Sequence, residues 1–361
     1  MTLADDVLAP EVTEHHQDSP QKFSFTATGS EYFRIWIVNL LLSIVTLGIY
    51  SAWAKVRRNR YFYSNTHLAE GSFDYHGNAI AILKGRIAAF AIFALYNLSL
   101  KTSPTYFLIM LVVMAAILPW LLWKSLQFRL YNSSYRGLRF GFRGSAKQAY
   151  KYFLALPILS LFTLYLLVPF THQRIKKFQH NESRFGSTHF SFNAKVGDFY
   201  LTYLIGFVLS AAGMVVITSL FGAGFMALVK QPQHGGINPA LMSSIFFFIF
   251  AVYAWIFIIY PIFLTMIQNL IWNSTKLGEH QFKSDLKWGK MTFIILTNIL
   301  GVICTLGLFA PFAHVRYMKY KIESMTLIPN GSIDNFITAT EEQISATGDG
   351  VADMLDFDLS L

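Results

Sequence analysis

A run of apolar residues that ends in a cluster of basic residues places the strongest constraint on this chain. The residues from Tyr32 to Trp53 are mostly apolar, and the basic residues that follow are Lys55, Arg57, Arg58 and Arg60. About 22 residues in helical conformation extend roughly 33 Å, which is enough to cross the hydrocarbon core of a bilayer. The run therefore predicts a membrane-embedded helix whose basic end lies at the lipid headgroups.

Six further apolar runs follow the first one. They cover about Ile87–Leu100, Thr105–Trp123, Tyr152–Phe170, Phe199–Phe221, Ile245–Trp272 and Met291–Phe312. Only 14% of the residues are charged, whereas an average soluble domain has about 25%. The composition therefore argues against a large soluble enzyme. It predicts an all-α polytopic integral membrane protein with about seven apolar helical segments.

The charges divide the chain into three regions. Residues 1–22 are polar and acidic, and residues 332–361 contain acidic residues but no lysine or arginine. Residues 23–331 hold 28 of the 29 basic residues and 8 of the 20 acidic ones. We therefore expect a repeat-built transmembrane domain between two disordered acidic tails that bury little surface.

The basic body of the chain has two interpretations. Clustered positive charge is typical of nucleic-acid-binding domains. Basic residues beside apolar runs also follow from the positive-inside bias and from attraction to anionic headgroups. Because the basic residues flank the runs, we predict membrane lipids, above all anionic ones, as partners and no nucleic acid. The sequence indicates no particular protein partner.

A short pattern recurs where the apolar runs end. An aromatic residue or proline is followed by a basic residue, then by Asn with Ser or Thr, and then by Phe-x-Phe or Phe-x-Tyr. The fourth copy lacks the basic residue, and the fifth has Glu323 in place of Asn. The copies begin at Trp53, Pro119, Pro169, Pro261 and Pro311. Their nearly constant internal spacing predicts five internal repeats.

The linkers between the runs contain alternating segments. Residues 66–75 read THLAEGSFDY, which alternates around a central glycine, and residues 138–142 and 189–192 alternate in the same way. Alternation on both sides of a glycine is typical of a short hairpin. We therefore predict short β-hairpins in the linkers, all at one face of the membrane.

The number of membrane crossings has two interpretations. Runs one, four and seven share a Thr-Leu step, at Thr46, Thr163 and Thr305. The linkers on both sides of run four are basic, although a single crossing would place them on opposite sides. These three runs are therefore either re-entrant hairpins that turn near Thr-Leu, leaving four full spans, or ordinary spans of a seven-span protein. The sequence leaves both alternatives open.

The first repeat resembles a known family. The residues TLGIYSAWAKVR from Thr46 to Arg57, with Gly71-x-Phe73-x-Tyr75-x-Gly77 after them, are similar to the YjgN-like family of bacterial inner-membrane proteins. The resemblance covers roughly residues 22–330. It implies a multi-pass protein of the bacterial inner membrane in a family with no established activity. It supplies no catalytic residues.

The sequence contains no recognisable catalytic motif. HExxH, Gly-rich phosphate-loop and GxSxG patterns do not occur, and no cysteines and histidines have the spacing of a metal site. The only cysteine, Cys304, lies within an apolar run, where we expect it to pack as a small side chain. We therefore predict neither enzymatic activity nor a cofactor.

Two sets of charged residues are the candidate sites. Arg57, Arg174 and Arg316 each lie one turn beyond the end of an apolar run, where an arginine can bind a lipid phosphate or simply anchor the helix. Glu31 and Asp198 each precede an apolar run, where a carboxylate can cap a helix or take part in an ion or proton site.

These features support two hypotheses about function. The first is non-enzymatic transport or binding of a small solute or lipid, because repeated membrane units commonly form a substrate path between repeats. The alternative is a membrane scaffold that recruits partners through its basic cytoplasmic face and its acidic tails. An internal pocket would favour the first hypothesis, and a fully packed interior would favour the second.

Overall fold

The computed structural model describes residues 19–229, 239–331, 333, 336–338 and 340. Eleven α-helices lie in the described ranges, and a π-helical turn, Lys151–Ala155, joins α5 to α6. The helices are α1 Gly29–Val45, α2 Ser51–Ser64, α3 Ala79–Thr102, α4 Pro104–Tyr131, α5 Ala146–Tyr150, α6 Leu156–Phe162, α7 Val168–Asn181, α8 Val196–Val229, α9 Pro239–Asn273, α10 Trp288–Cys304 and α11 Ala310–Glu323.

Ten short strands connect the helices and form one closed, fully antiparallel barrel. The strands are β1 Gln21–Phe25, β2 Thr66–Leu68, β3 Gly71–Tyr75, β4 Ser133–Tyr135, β5 Leu138–Phe142, β6 Ser183–Phe185, β7 Thr188–Phe192, β8 Thr275–Leu277, β9 His280–Ser284 and β10 Met325–Ile328. Each strand pairs with the next along the chain, and β1 pairs with both β2 and β10. Closure leaves none of these strands with an unpaired edge.

The predicted all-α fold class is therefore wrong. The predicted hairpins occur as β2–β3, β4–β5 and β6–β7, and a further hairpin, β8–β9, follows. They are not isolated, because each pairs with its neighbours. A two-stranded hairpin alone is marginally stable in water, and pairing all of them into a closed barrel removes this weakness.

Four helices are long and apolar enough to span a membrane. They correspond to runs two, three, five and six: Ala79–Thr102, Pro104–Tyr131, Val196–Gly222 and Met242–Asn273. Between 6% and 11% of the residues in their most apolar windows are buried within the protein, so most of this apolar surface faces outward. Such exposure is expected where lipid is the solvent.

Runs one, four and seven each form a helical hairpin. The chain reverses direction in short turns after Val45, Phe162 and Cys304. Helices α1 and α10 have 17 residues each, fewer than the about 20 needed to span a bilayer. Of the two alternatives left open by the sequence, this geometry matches four long helices with three turned-back hairpins, so seven separate spanning helices are not formed.

The shared threonine explains where these hairpins turn. The hydroxyl of Thr305 donates to the carbonyl of Gly301 (2.7 Å) and accepts from the N–H of Phe309 (2.9 Å). The hydroxyl of Thr46 makes the same two contacts, with Leu42 and Tyr50. One side chain thus satisfies backbone groups at the end of the first helix and the start of the second, which matters most where no water is available.

The leucine after each threonine forms the tip of the hairpin. Leu47, Leu164 and Leu306 adopt φ values near +50° and are 93%, 85% and 95% exposed. Gly48 and Gly307 follow with φ values of +90° and +95°, in the left-handed region that glycine adopts without a steric penalty. Exposed leucine tips fit insertion into hydrocarbon, whereas in water they would carry a hydrophobic cost.

The barrel lies at one end of the helices and encloses the largest buried apolar cluster. Inward residues from most of the strands form it, including Phe23, Leu68 and Phe185. Ile333 and Ile337, which follow the last strand, are 7% and 5% exposed and belong to the same cluster. The other residues of the predicted tails lie mostly outside the described ranges.

Candidate functional site

Five phenylalanines form a closed ring inside the barrel, which we call the phenylalanine ring. Its members are Phe23, Phe73, Phe140, Phe190 and Phe282. Neighbouring ring centroids are 6.2 to 6.5 Å apart, and this holds for all five neighbouring pairs. These distances lie within the range of favourable aromatic contacts. The side chains therefore narrow the barrel at a single level.

The strand register creates this ring. Each member pairs in register with an apolar or aromatic residue of the adjacent strand: Leu68, Tyr135, Phe185, Leu277 or Leu327. Because side chains alternate along a strand, one register repeated five times brings the five rings to the same height. The Phe-x-Phe and Phe-x-Tyr pairs in the sequence carry this signal, although the sequence alone predicted only separate hairpins.

An apolar cavity lies inside the barrel, against the phenylalanine ring. It has a volume of about 190 Å³, and its lining exposes no polar surface. Phe336 lies in its wall, stacked on Phe185 at 6.3 Å and edge-on to His280 at 4.5 Å. The segment after β10 therefore lines the barrel together with the strands.

A second cavity, which we call the vestibule, lies between the helices and the barrel. It has a volume of about 340 Å³ and is lined by residues of α2, α4, α7 and α9 and by three members of the phenylalanine ring. Arg129 of α4 and Lys176 of α7 line it, beside His180 and Trp272. The phenylalanine ring thus contributes to the walls of both cavities.

The electrostatics of the vestibule are dominated by positive charge. Burial lowers the pKa of the Lys176 ammonium, and the nearby charges of Arg129 and Lys321 lower it further. Burial also lowers the pKa of Lys321. Burial and the charge of Lys176 together lower the pKa of His180 to about 4, so this imidazole is neutral at physiological pH. Among the residues that the structure describes, no carboxylate lines this cavity.

The three predicted arginines lie on three different helices. Arg57 is exposed on α2, and the guanidinium of Arg174 on α7 lies 4.9 Å from the ring centroid of Phe170. Arg316 on α11 donates to Asn298 Oδ1 at 2.9 Å and to Thr297 Oγ1 at 3.2 Å. Their binding of lipid phosphate stays a prediction, and for Arg316 it competes with these two internal hydrogen bonds.

The two predicted carboxylates lie at the starts of α1 and α8 and are exposed. Glu31 accepts a hydrogen bond from the Tyr61 hydroxyl at 3.0 Å. Asp198 accepts one from the backbone N–H of Lys195 at 3.1 Å, as a capping residue does. The structure does not bring them together in one cavity, and an ion or proton site at either of them stays a prediction.

The residues of the vestibule are the ones that sequence reasoning missed. Arg129 and Lys176 belong to the basic linkers, and no motif distinguishes them, or Lys321 on α11 whose charge reaches Lys176, from the other lysines and arginines. The repeat register carries a weak signal. Arg129 precedes the inward strand residue Tyr135 by the same number of positions as Lys321 precedes the inward strand residue Leu327. Within the described residues, no group of histidine, cysteine and acidic side chains fits a metal ion.

Comparison with known proteins gives a consistent result. Residues 20–354 match a family described as "Bacterial protein of unknown function (DUF898)". The chain belongs to this family. Its curated relatives include the "Inner membrane protein YjgN" of Salmonella typhimurium, 35% identical over 148 residues, and that of Escherichia coli O157:H7, 32% identical over 140 residues. No solved structure matches the chain.

These matches cover 40% and 38% of this chain, and 37% and 35% of the two relatives. The resemblance to the YjgN-like family is thus confirmed. A DUF898 member with four helices long enough to cross a bilayer is a multi-pass protein of the bacterial inner membrane. Neither the family description nor the relatives' names indicate a catalytic activity.

Proposed function

We propose that this protein carries a small solute along the axis of its barrel without catalysing a reaction. The observation that carries the proposal is the phenylalanine ring, all five members of which line the barrel cavity and three of which line the vestibule. A ring of apolar side chains across a narrow passage excludes water and ions until it widens, which is how hydrophobic constrictions gate channels. The arrangement described is the closed one.

The packing of the interior favours this proposal over a scaffold. A scaffold needs surfaces for its partners and gains nothing from internal space, whereas cavities of about 190 and 340 Å³ adjoin the phenylalanine ring of this protein. Unfilled space between side chains gives up packing contacts that would add stability. Retaining it fits a role in binding or passage.

The experiment is solute flux through the full-length protein in liposomes. The probes are glycerol, followed by light scattering after an osmotic step, and inorganic phosphate, trapped inside with an indicator. The test variant is Phe73→Ala combined with Phe190→Ala, which widens the constriction. The control combines Phe93→Ala with Phe207→Ala, which removes the same atoms from side chains that are 60% and 70% exposed on α3 and α8.

We expect the test variant to pass at least one of the two probes several times faster than the wild type, and the control to match the wild type. Both variants must elute as single species in detergent, since removing two partly buried rings costs stability. If the test variant folds and passes both probes no faster than the control, the barrel axis is not a path. The scaffold interpretation then gains support.

A further inference from the structure

Two cations line the vestibule and, within the described residues, no carboxylate does, while a third cation lies close enough for its charge to act on one of them. Arg129 lies on α4, Lys176 on α7 and Lys321 on α11, and the charges of Arg129 and Lys321 both reach Lys176. The Lys176 ammonium donates to Gln179 Oε1 at 3.3 Å, a neutral partner. Within the described residues, none of the three cations makes a salt bridge. Helices distant in sequence therefore converge on one positive cavity.

Such an arrangement is unfavourable without a ligand. Like charges repel, and in a partly desolvated cavity this repulsion is weakly screened. Desolvated lysines and arginines in proteins are normally paired with an acid, because a desolvated charge is otherwise costly. This cost falls on Lys176, which is half-buried, whereas Arg129 is exposed. Among the described residues no acid stands in the cavity wall, and a space of about 340 Å³ adjoins Arg129 and Lys176. A bound anion would supply the missing charge.

The chemistry of the donors selects the class of anion. An arginine presents two parallel N–H groups that match the oxygens of a phosphate, and a lysine adds a point charge. A dianionic phosphate monoester or a phosphodiester offers enough oxygens for all three cations, unlike a halide ion. The aromatic side chains of Tyr63, His180 and Trp272 in the same cavity provide apolar surface for an attached organic group.

We propose that the vestibule is a binding site for a phosphate-bearing anion, held by Arg129 and Lys176, which line it, and attracted further by the charge of Lys321 close to Lys176. The ligand is either a free phosphate compound or the phosphate headgroup of an anionic lipid, since both present the same chemistry. The inference rests on the proposed function in one respect: it names the class of solute that enters the axial path. Binding itself does not require that the path open.

The experiment measures binding in detergent with the full-length protein. The test variant combines Arg129→Gln, Lys176→Gln and Lys321→Gln. The matched control combines Lys147→Gln, Lys195→Gln and Lys283→Gln, which removes the same formal charge from exposed positions outside the vestibule. One arm titrates inorganic phosphate by calorimetry, and the other quantifies co-purified phosphatidylglycerol by mass spectrometry. If the triple variant does not fold, the single variants Arg129→Gln and Lys321→Gln replace it.

We expect at least about a tenfold loss of affinity or of retained lipid in the test variant, because each hydrogen bond to a charged group contributes at least this factor. Loss in the phosphate arm identifies a free anion as the ligand, and loss in the lipid arm alone identifies a headgroup. Equal binding by the test and control variants in both arms overturns the proposal. If the vestibule binds the anion but the widened variant passes no solute, the axial path is refuted and the binding site remains.

Discussion

At the scale of single residues, the guanidinium of Arg316 is used inside its own hairpin. It donates to Asn298 and Thr297 on α10, and the Asn298 amide in turn donates to the carbonyl of Ala313 at 3.0 Å. Asn298 is 8% exposed, so its side-chain oxygen has little access to other donors. Arg57, at the corresponding place in the first hairpin, is exposed. Two arginines in one sequence register thus have different surroundings.

This difference predicts unequal effects of the same substitution. Arg316→Lys keeps the charge but loses the second donor of the fork, so we expect the free energy of unfolding to fall by about 1–3 kcal/mol. Arg57→Lys should change it by less than about 0.5 kcal/mol, as exposed substitutions usually do. Thermal unfolding in matched detergent measures both. Equal midpoints for the two variants would show that the hydrogen bonds of Arg316 add no stability.

His180 predicts a dependence of stability on pH. Its pKa is about 4 in the folded protein, against an ordinary value of 6.5, because the ring is buried near Lys176. Between pH 6.5 and 4 the unfolded chain therefore binds a proton on this residue that the folded protein does not, so stability falls as the pH falls. At about 1.4 kcal/mol per pKa unit, the free energy of unfolding falls by about 3 kcal/mol between pH 6.5 and 4.

The variant His180→Phe tests this assignment. Phenylalanine keeps the aromatic contacts with Phe192 and Trp272 and cannot be protonated. We expect the thermal midpoint of the variant to fall less steeply than that of the wild type between pH 6.5 and 4. The hydrogen bond to Thr275 is lost at every pH, so it shifts the whole curve and leaves the slope unchanged. Parallel curves would assign the acid sensitivity to other groups.

At the scale of elements, the helical hairpins depend on the threonine at their turns. Thr305 bonds to both helices of the last hairpin, whereas Thr292 in the same helix α10 bonds only to the carbonyl of Trp288. Thr305→Val leaves the N–H of Phe309 without its partner, and we expect a loss of about 1–3 kcal/mol. Thr292→Val should cost clearly less.

A serine variant separates the hydroxyl from the shape of the side chain. Thr305→Ser keeps the oxygen that accepts from Phe309 and should recover most of the stability lost in Thr305→Val. Thermal unfolding in detergent and resistance to protease measure the effect. If serine is as destabilising as valine, the methyl group rather than the hydroxyl stabilises the turn.

The local hairpins could be predicted from the sequence, but the bounds of the helices and the closure of the barrel could not. Alternation around glycine predicts a hairpin such as β2–β3 because the signal lies within ten residues. Closure requires β1 near residue 21 to pair with β10 near residue 327, and no local pattern encodes this contact. The vestibule was missed for the same reason, since the cations that line it, Arg129 and Lys176, lie on α4 and α7 and meet only in the folded chain.

At the scale of the whole molecule, the barrel restricts the topology. The linkers 54–86, 124–151, 172–198 and 273–290 each contribute a hairpin to it, so they lie on one side of the membrane. Their excess of lysine and arginine predicts that this side is the cytoplasm. The turn between α3 and α4, around Lys101, then lies in the periplasm. The predicted topology therefore has two long helical pairs that cross the membrane and three shorter pairs that enter from the cytoplasmic side and return.

Single-cysteine labelling in intact cells and in lysed cells tests this topology. In a Cys304→Ala background, we expect Glu70→Cys and Glu279→Cys, which lie in barrel hairpins, to react with a membrane-impermeant maleimide only after lysis. Lys101→Cys should react in intact cells. These three positions are exposed, so a failure to react reports the barrier of the membrane rather than burial in the protein.

Cysteines at the tips of the helical hairpins give the most decisive test of this topology. Leu47→Cys and Leu306→Cys replace side chains that are 93% and 95% exposed, yet we expect neither to react from either side until detergent removes the bilayer. A thiol in hydrocarbon stays protonated, and only the thiolate reacts readily with maleimide. Reaction of Leu306→Cys in intact cells would place that tip in the periplasm. The last hairpin would then cross the membrane completely, and the four-span topology would be wrong.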